Sequence, residues 1–124
     1  MIYRFLLVLL LAGCATTPAI KSEADRRACD ELIAAVKQTW QRGGATLSNE
    51  GGRFAAAHGL SANLSPNKAG GYDFLPRLVP FALLAAAGVD HEGSPVINQY
   101  RDFMNVRTPA QRASVADEGR RCEW

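Results

Sequence analysis

The clearest pattern in the chain is an apolar stripe at helical spacing between residues 29 and 40. Leu32, Val36 and Trp40 lie four apart, and Cys29 and Ile33 fall beside them on the same face. This spacing predicts an amphipathic helix with one buried side. Because Trp40 lies on the stripe, we interpret it as a core residue, with ligand stacking as the alternative role.

Capping residues predict both ends of this first helix. Ser22 supplies a side-chain oxygen for an N-cap, and Glu23 and Asp25 place negative charge in the first turn, where the helix dipole favours it. The pair Gly43-Gly44 is typical of a helix end, because glycine adopts the left-handed conformation that stops a helix.

The next thirty residues have many glycines and a weaker pattern. A short helix is expected around Arg53 to His58, ended by Gly59. The stretch from Ser61 to Tyr72 is rich in Ser, Asn, Pro and Gly, a composition typical of a loop.

Apolar residues between Asp73 and Ala87 predict a buried third helix. Asp73 is the expected N-cap, and Gly88 is the expected end. Pro80 leaves two solutions open, because proline is tolerated only in the first turn of a helix. Either one helix is kinked at Pro80, or a turn precedes a helix from about Pro80 to Ala87.

Two further helices are predicted after residue 93. Ser94-Pro95 supplies a cap followed by proline at the first helical position. Thr108 and Gln111 have the spacing of a capping box, so a fifth helix is expected from there to about Glu118, ended by Gly119. No segment shows convincing strand alternation. The pattern therefore predicts an all-α fold, a small bundle of about four to five short helices.

The first residues follow a different pattern. Basic Arg4 precedes an apolar run from Phe5 to Ala12. That run is too short to span a bilayer, since a spanning helix needs roughly 20 apolar residues. A charged start and a short apolar core are typical of a signal peptide. Here the small pair Ala12-Gly13 leads directly into Cys14.

The sequence Leu11-Ala12-Gly13-Cys14 resembles the lipobox of bacterial lipoproteins. The resemblance implies that residues 1–13 are a cleaved signal peptide, that the Cys14 thiol carries a diacylglycerol, and that its new amino group is acylated. Two or more acyl chains, such as palmitate, anchor a protein firmly. Ala15 in place of an aspartate implies export to the outer membrane, facing the periplasm. Residues 14–21 would then form a lipidated tether, and residues 22–124 a single helical domain.

Three cysteines divide between two roles. With Cys14 assigned to lipid, Cys29 and Cys122 remain as an even pair in a compartment that permits disulfides. We therefore predict one disulfide between them that closes the helical bundle, with two free thiols as the alternative. A metal site is not expected, because the pair has no CxxC or histidine-rich frame.

Charge and motifs narrow the function classes. The formal net charge is +2 and the charges are interspersed, whereas a nucleic-acid-binding protein normally has a basic stripe. No nucleophile elbow, HExxH pair or phosphate loop occurs, and no cofactor is implied. Asp90-His91-Glu92, the densest ionisable cluster, is interpreted as a solvated turn. We therefore assign no catalytic residue.

These observations predict a membrane-anchored periplasmic lipoprotein that acts as a non-catalytic binding or accessory module of the bacterial envelope. Its partners would be the bilayer, through its acyl chains, and an envelope protein or cell-wall component. One alternative is a small peptidoglycan-acting hydrolase that uses Glu50, Asp73 or His58. Another is a small-ligand carrier with an apolar pocket beside Trp40 and Phe81.

Overall fold

The computed structural model describes residues 22–75, 77–89 and 98–124. The lipobox with Cys14, the tether over residues 14–21, the Asp90-His91-Glu92 turn and the Ser94-Pro95 cap lie outside the described residues and stay predictions. None of the helices within the described ranges combines the length and the hydrophobicity that a bilayer crossing requires.

The described residues form five helices, one 3₁₀ turn and a small sheet. The prediction of a helical fold is confirmed, but the prediction of a purely helical one is wrong. In chain order the elements are α1 (Glu23–Arg42), β1 (Ala45–Leu47), α2 (Asn49–Ala57), the 3₁₀ turn (Ser61–Asn63), β2 (Leu64–Pro66), β3 (Tyr72–Phe74), α3 (Phe81–Ala86), α4 (Asn98–Asn105) and α5 (Pro109–Arg120).

The first helix begins and ends where its capping residues predict. The Ser22 hydroxyl accepts a hydrogen bond from the Asp25 backbone N–H at 3.1 Å. Gly43 takes a left-handed conformation with φ of 84° and donates its N–H to the Thr39 carbonyl. The apolar stripe faces inward, and Leu32 and Val36 are fully buried. α1 therefore packs one complete face into the hydrophobic core.

β2 lies within the stretch that was expected to be a loop, β3 extends from its end into the segment predicted as the third helix, and β1 follows the glycine pair after α1. The strands of this sheet are antiparallel in the order β1-β3-β2. The Asn67 side-chain oxygen accepts hydrogen bonds from the N–H groups of Ala69 at 3.0 Å and Gly71 at 3.1 Å, which closes the turn between β2 and β3. Asp73, the expected helix cap, is instead the exposed middle residue of β3. Three-residue strands are too short to show alternation, so the pattern gave no signal.

Some glycines allow close packing inside helices instead of ending them. Gly51 and Gly52 lie within α2, which begins earlier than predicted because Ser48 caps it at the Gly51 N–H, 3.0 Å away. A Cβ on Gly52 would overlap the ring of Tyr72. α2 therefore lies directly against the face of the sheet that carries Tyr72.

Gly119 has the same role in α5, which continues through it to Arg120 instead of ending there. A Cβ on Gly119 would overlap the Ala82 carbonyl oxygen, so α5 and α3 touch at their backbones. The predicted capping box at the start of α5 is confirmed, with the side chains of Thr108 and Gln111 each accepting the other's backbone N–H.

The structure decides between the two solutions for Pro80. A turn precedes a short helix, and Pro80 is the N-cap of α3. The helix is followed by Gly88 with φ of 70°. Leu83 and Leu84 on α3 are almost completely buried, as expected for a central helix.

A disulfide joins Cys29 to Cys122 across 93 residues of chain, which confirms the predicted pairing. Both cysteines are fully buried. The Arg26 guanidinium also donates to the Arg120 carbonyl at 3.2 Å. The N-terminal half of α1 is therefore fastened to the C-terminal end of α5.

Candidate functional site

A cleft of about 690 Å³ opens beside the C-terminal end of α1. It lies where α1, the 3₁₀ turn, the extended residues 77–80, α3 and the first turn of α4 meet. Its wall is apolar and largely aromatic, and it is formed by Trp40, Val79, Phe81, Leu84 and Tyr100. Volume and lining are typical of a ligand-binding cleft.

The aromatic wall combines residues from three helices. Trp40 is half-buried at the end of the α1 stripe, packed against the core on one side and lining the cleft on the other. The Phe81 ring lies 5.7 Å from the Tyr100 ring and 4.9 Å from the Phe103 ring, measured between centroids. Both roles weighed for Trp40, core packing and contact with a ligand, are therefore compatible with its position.

The extended segment before α3 supplies the rim of the cleft. Val79 points inward and is 9 % exposed, whereas its neighbour Leu78 is 90 % exposed. In an extended chain, successive side chains point to opposite sides, which accounts for the contrast. Leu78 therefore presents an apolar side chain to solvent at the mouth of the cleft.

Asn63 holds this segment in place. Its side chain is almost completely buried, and its amide nitrogen donates to the Leu75 carbonyl at 3.2 Å. The Leu75 N–H in turn donates to the Asn63 carbonyl at 2.8 Å. Because the Leu75 carbonyl also accepts the Arg77 N–H at 2.8 Å, these bonds connect the end of the 3₁₀ turn to the first residue of the extended segment.

The polar groups of the cleft are few. Among the described lining residues, Arg77 is the one charged side chain, and Asn98 and Gln99 add two exposed amides from the first turn of α4. An apolar cleft with a few polar groups at its mouth binds the apolar part of a ligand by burial and orients it by the polar groups.

The three residues considered for a hydrolase lie in separate surroundings. Asp73 lies in β3 next to Tyr72, and its side chain points to the opposite face of the sheet from Tyr72 and α2. Glu50 is exposed in the first turn of α2. His58 Nδ1 lies 2.9 Å from the Phe54 carbonyl oxygen. Glu50 is on α2, whereas the Asp73 side chain points to the face of the sheet away from α2, so the two carboxylates do not form a pair.

The imidazole of His58 is also enclosed by aromatic rings. Its centroid lies 4.1 Å from that of Phe54 and 5.4 Å from that of Trp124. These contacts give His58 a packing role at the end of α2. Within the described ranges, no group of three or more His, Cys, Asp and Glu side chains is placed to hold a metal ion.

Sequence reasoning named an apolar pocket beside Trp40 and Phe81, and the structure places both residues in the cleft. The cleft roles of Arg77, Leu78 and Asn63 were not predicted, because the conformation of the chain before Pro80 was left open between a kinked helix and a turn. Asn63 lies in the stretch from Ser61 to Tyr72, whose composition predicted a loop.

Comparison with known proteins found no relative of this chain. The chain matches no protein-family model, no curated protein and no solved structure.

Proposed function

We propose that this chain is a lipid-anchored, non-catalytic binding module of the bacterial envelope and that the cleft is its binding site. The observation that carries the proposal is the open cleft of about 690 Å³ with its wall of Trp40, Phe81 and Tyr100. Ligand sites of about 300–1,000 Å³ with mostly apolar walls and few polar groups are typical of small-molecule binding.

The exposed rim supports binding as opposed to a packing defect. A scattered exposed leucine is ordinary on a protein surface, but Leu78 is continuous with an apolar wall. Burial of a leucine side chain contributes about 1.5–3 kcal/mol, and this contribution is available only when something covers the rim. The carrier alternative is thus the form of binding that the cleft favours.

Two features support the envelope location. The motif Leu11-Ala12-Gly13-Cys14 resembles a lipobox, which implies an anchor at Cys14. The buried bond between Cys29 and Cys122 is typical of proteins outside the cytosol, because reducing compartments rarely preserve disulfides. Together they support the proposal that the cleft lies near a membrane surface, on the periplasmic side.

Binding of an uncharged dye tests the cleft. The chain is exported behind an ordinary cleavable signal with Cys14→Ser, so that it carries no acyl groups, and is titrated with 1-N-phenylnaphthylamine, which fluoresces in apolar surroundings. We expect saturable binding of one dye per chain. Leu78→Asp should weaken it about tenfold, because it removes apolar contact at the rim.

Val106→Asp is the matched control. Val106 is 81 % exposed, like Leu78, but does not line the cleft, so its substitution should leave dye binding unchanged. Equal loss of binding in both variants, or unsaturable binding in the parent chain, would contradict the cleft as a site.

The anchor is tested separately in intact cells fed labelled palmitate. The natural chain should incorporate label, Cys14→Ser should lose it, and Cys122→Ser should keep it because the acyl groups depend on Cys14 alone. Continued labelling of the Cys14→Ser chain would refute the anchor without affecting the cleft.

A further inference from the structure

Among the described residues that line the cleft, one is charged, and its charge is positive. Arg77 is exposed. Within the described part of the chain, its side chain forms no hydrogen bond or ion pair, and the ion pairs found there are formed by other arginines. Its backbone N–H donates to the Leu75 carbonyl at 2.8 Å, which fixes the position from which the guanidinium extends. The cation is therefore available to a ligand.

The next residue along the chain is apolar and also exposed. Leu78 follows Arg77 in the extended segment, and both line the cleft. The cleft is thus lined by a guanidinium and by an apolar side chain at its mouth, and its apolar lining continues inward to Phe81. Such a surface is complementary to a molecule that has an anionic group at one end and an apolar body.

We propose that the cleft binds a fatty carboxylate, with its carboxylate on Arg77 and its alkyl chain along Leu78 and the wall of Trp40 and Phe81. This inference rests on the proposed function, since it names the ligand of the same cleft. A guanidinium presents paired N–H donors that match the two oxygens of a carboxylate. The amides of Asn98 and Gln99 lie at the same mouth and add uncharged donors.

Charge complementarity favours a carboxylate over other head groups. A phosphate monoester carries about −1.5 to −2 charges near neutral pH, more than one arginine neutralises. A quaternary ammonium group would be repelled by Arg77. An alcohol of the same chain length would keep the apolar contacts but lose the charge-assisted hydrogen bonds, which are the stronger kind.

Four ligands of equal chain length test the assignment: decanoate, decanol, decyl phosphate and decyltrimethylammonium. The non-acylated Cys14→Ser chain also carries Trp124→Phe, since Trp124 lies outside the cleft, so that Trp40 alone reports binding by fluorescence. We expect decanoate to bind about tenfold tighter than decanol. Decyl phosphate should bind no tighter than decanoate, and the ammonium more weakly than decanol.

Variants of Arg77 identify the group responsible. Arg77→Ala should lower decanoate affinity to that of decanol and leave decanol unchanged, whereas Arg77→Lys should retain part of the preference. Arg53→Ala removes an exposed arginine from α2, away from the cleft, and should change neither affinity.

The outcomes separate this inference from the proposed function. Equal affinities for decanoate and decanol would overturn the inference while the cleft remained a binding site, and so would equal effects of Arg77→Ala and Arg53→Ala. Tighter binding of decyl phosphate would overturn the carboxylate assignment. If neither the four ligands nor the uncharged dye bound, the proposed function itself would fail.

Discussion

The two ends of α1 lie in contrasting surroundings. Near its start, Cys29 is bonded to Cys122, both fully buried, and α5 touches α3 at Gly119. At its other end, Trp40 borders a cleft of about 690 Å³ whose rim residue Leu78 is 90 % exposed. The first end is closed by covalent and backbone contact. The second leaves apolar surface uncovered.

The contrast shows how a small domain keeps an apolar cleft open. Apolar surface is normally lost to closer packing, because its burial is favourable. A crosslink at one end reduces the entropy of the unfolded chain and stabilises the fold without any packing at the other end. We infer that the closed end supplies the stability and the open end the binding surface.

Removal of the crosslink should give the largest effect. Replacing both Cys29 and Cys122 by alanine should lower the free energy of unfolding by about 4 kcal/mol, since a disulfide across a long loop contributes about that much. Urea denaturation measures the loss, and Cys14→Ser serves as a control that leaves the bundle intact. A loss below about 1 kcal/mol would show that the crosslink contributes little to the fold.

The second-largest loss of stability is expected at Gly119, where α5 contacts α3. Gly119→Ala forces α5 away from the Ala82 carbonyl and should cost about 2–3 kcal/mol, as overpacked sites do. Gly44→Ala is the matched control, because Gly44 has open space around it and no positive φ. That substitution should be neutral or stabilise by up to about 1 kcal/mol. Similar urea midpoints for the two variants would contradict the claim that the closed end is more tightly packed than the open end.

Two neighbouring residues at the open end give the smallest effects and locate the boundary of the core. Val79→Ala should destabilise by about 2 kcal/mol, because Val79 is buried. Leu78→Ala should change the free energy of unfolding by less than about 0.5 kcal/mol, because Leu78 is exposed. The two variants are compared by thermal or urea unfolding. Equal losses in the free energy of unfolding would mean that Leu78 is packed into the core and is not an exposed rim residue.

Local signals account for what the sequence predicted. Ser22, Gly43 and Thr108 act within one helical turn of themselves, so the helix ends they specify are visible in the sequence. The pairing of Cys29 with Cys122 followed from a count of cysteines once Cys14 was assigned to lipid.

Contacts between distant parts of the chain account for what the sequence did not predict. Gly119 was predicted to end α5, because its backbone contact with Ala82 is not visible in the sequence, and neither is the contact of Gly52 with Tyr72. Asp73 pairs with two strands that are each three residues long, which is too short for a visible alternation. The cleft could be anticipated from its aromatic residues, but its rim depends on how residues 77–80 pass Trp40.

Energy transfer from Trp40 to a bound dye tests the central claim most directly. In the non-acylated chain with Trp124→Phe, Trp40 is the remaining tryptophan, and it lines the cleft. We predict that 1-N-phenylnaphthylamine quenches its emission saturably at one dye per chain, and that Leu78→Asp shifts the midpoint about tenfold higher. A linear decline without saturation, unchanged by Leu78→Asp, would contradict a binding site at this cleft.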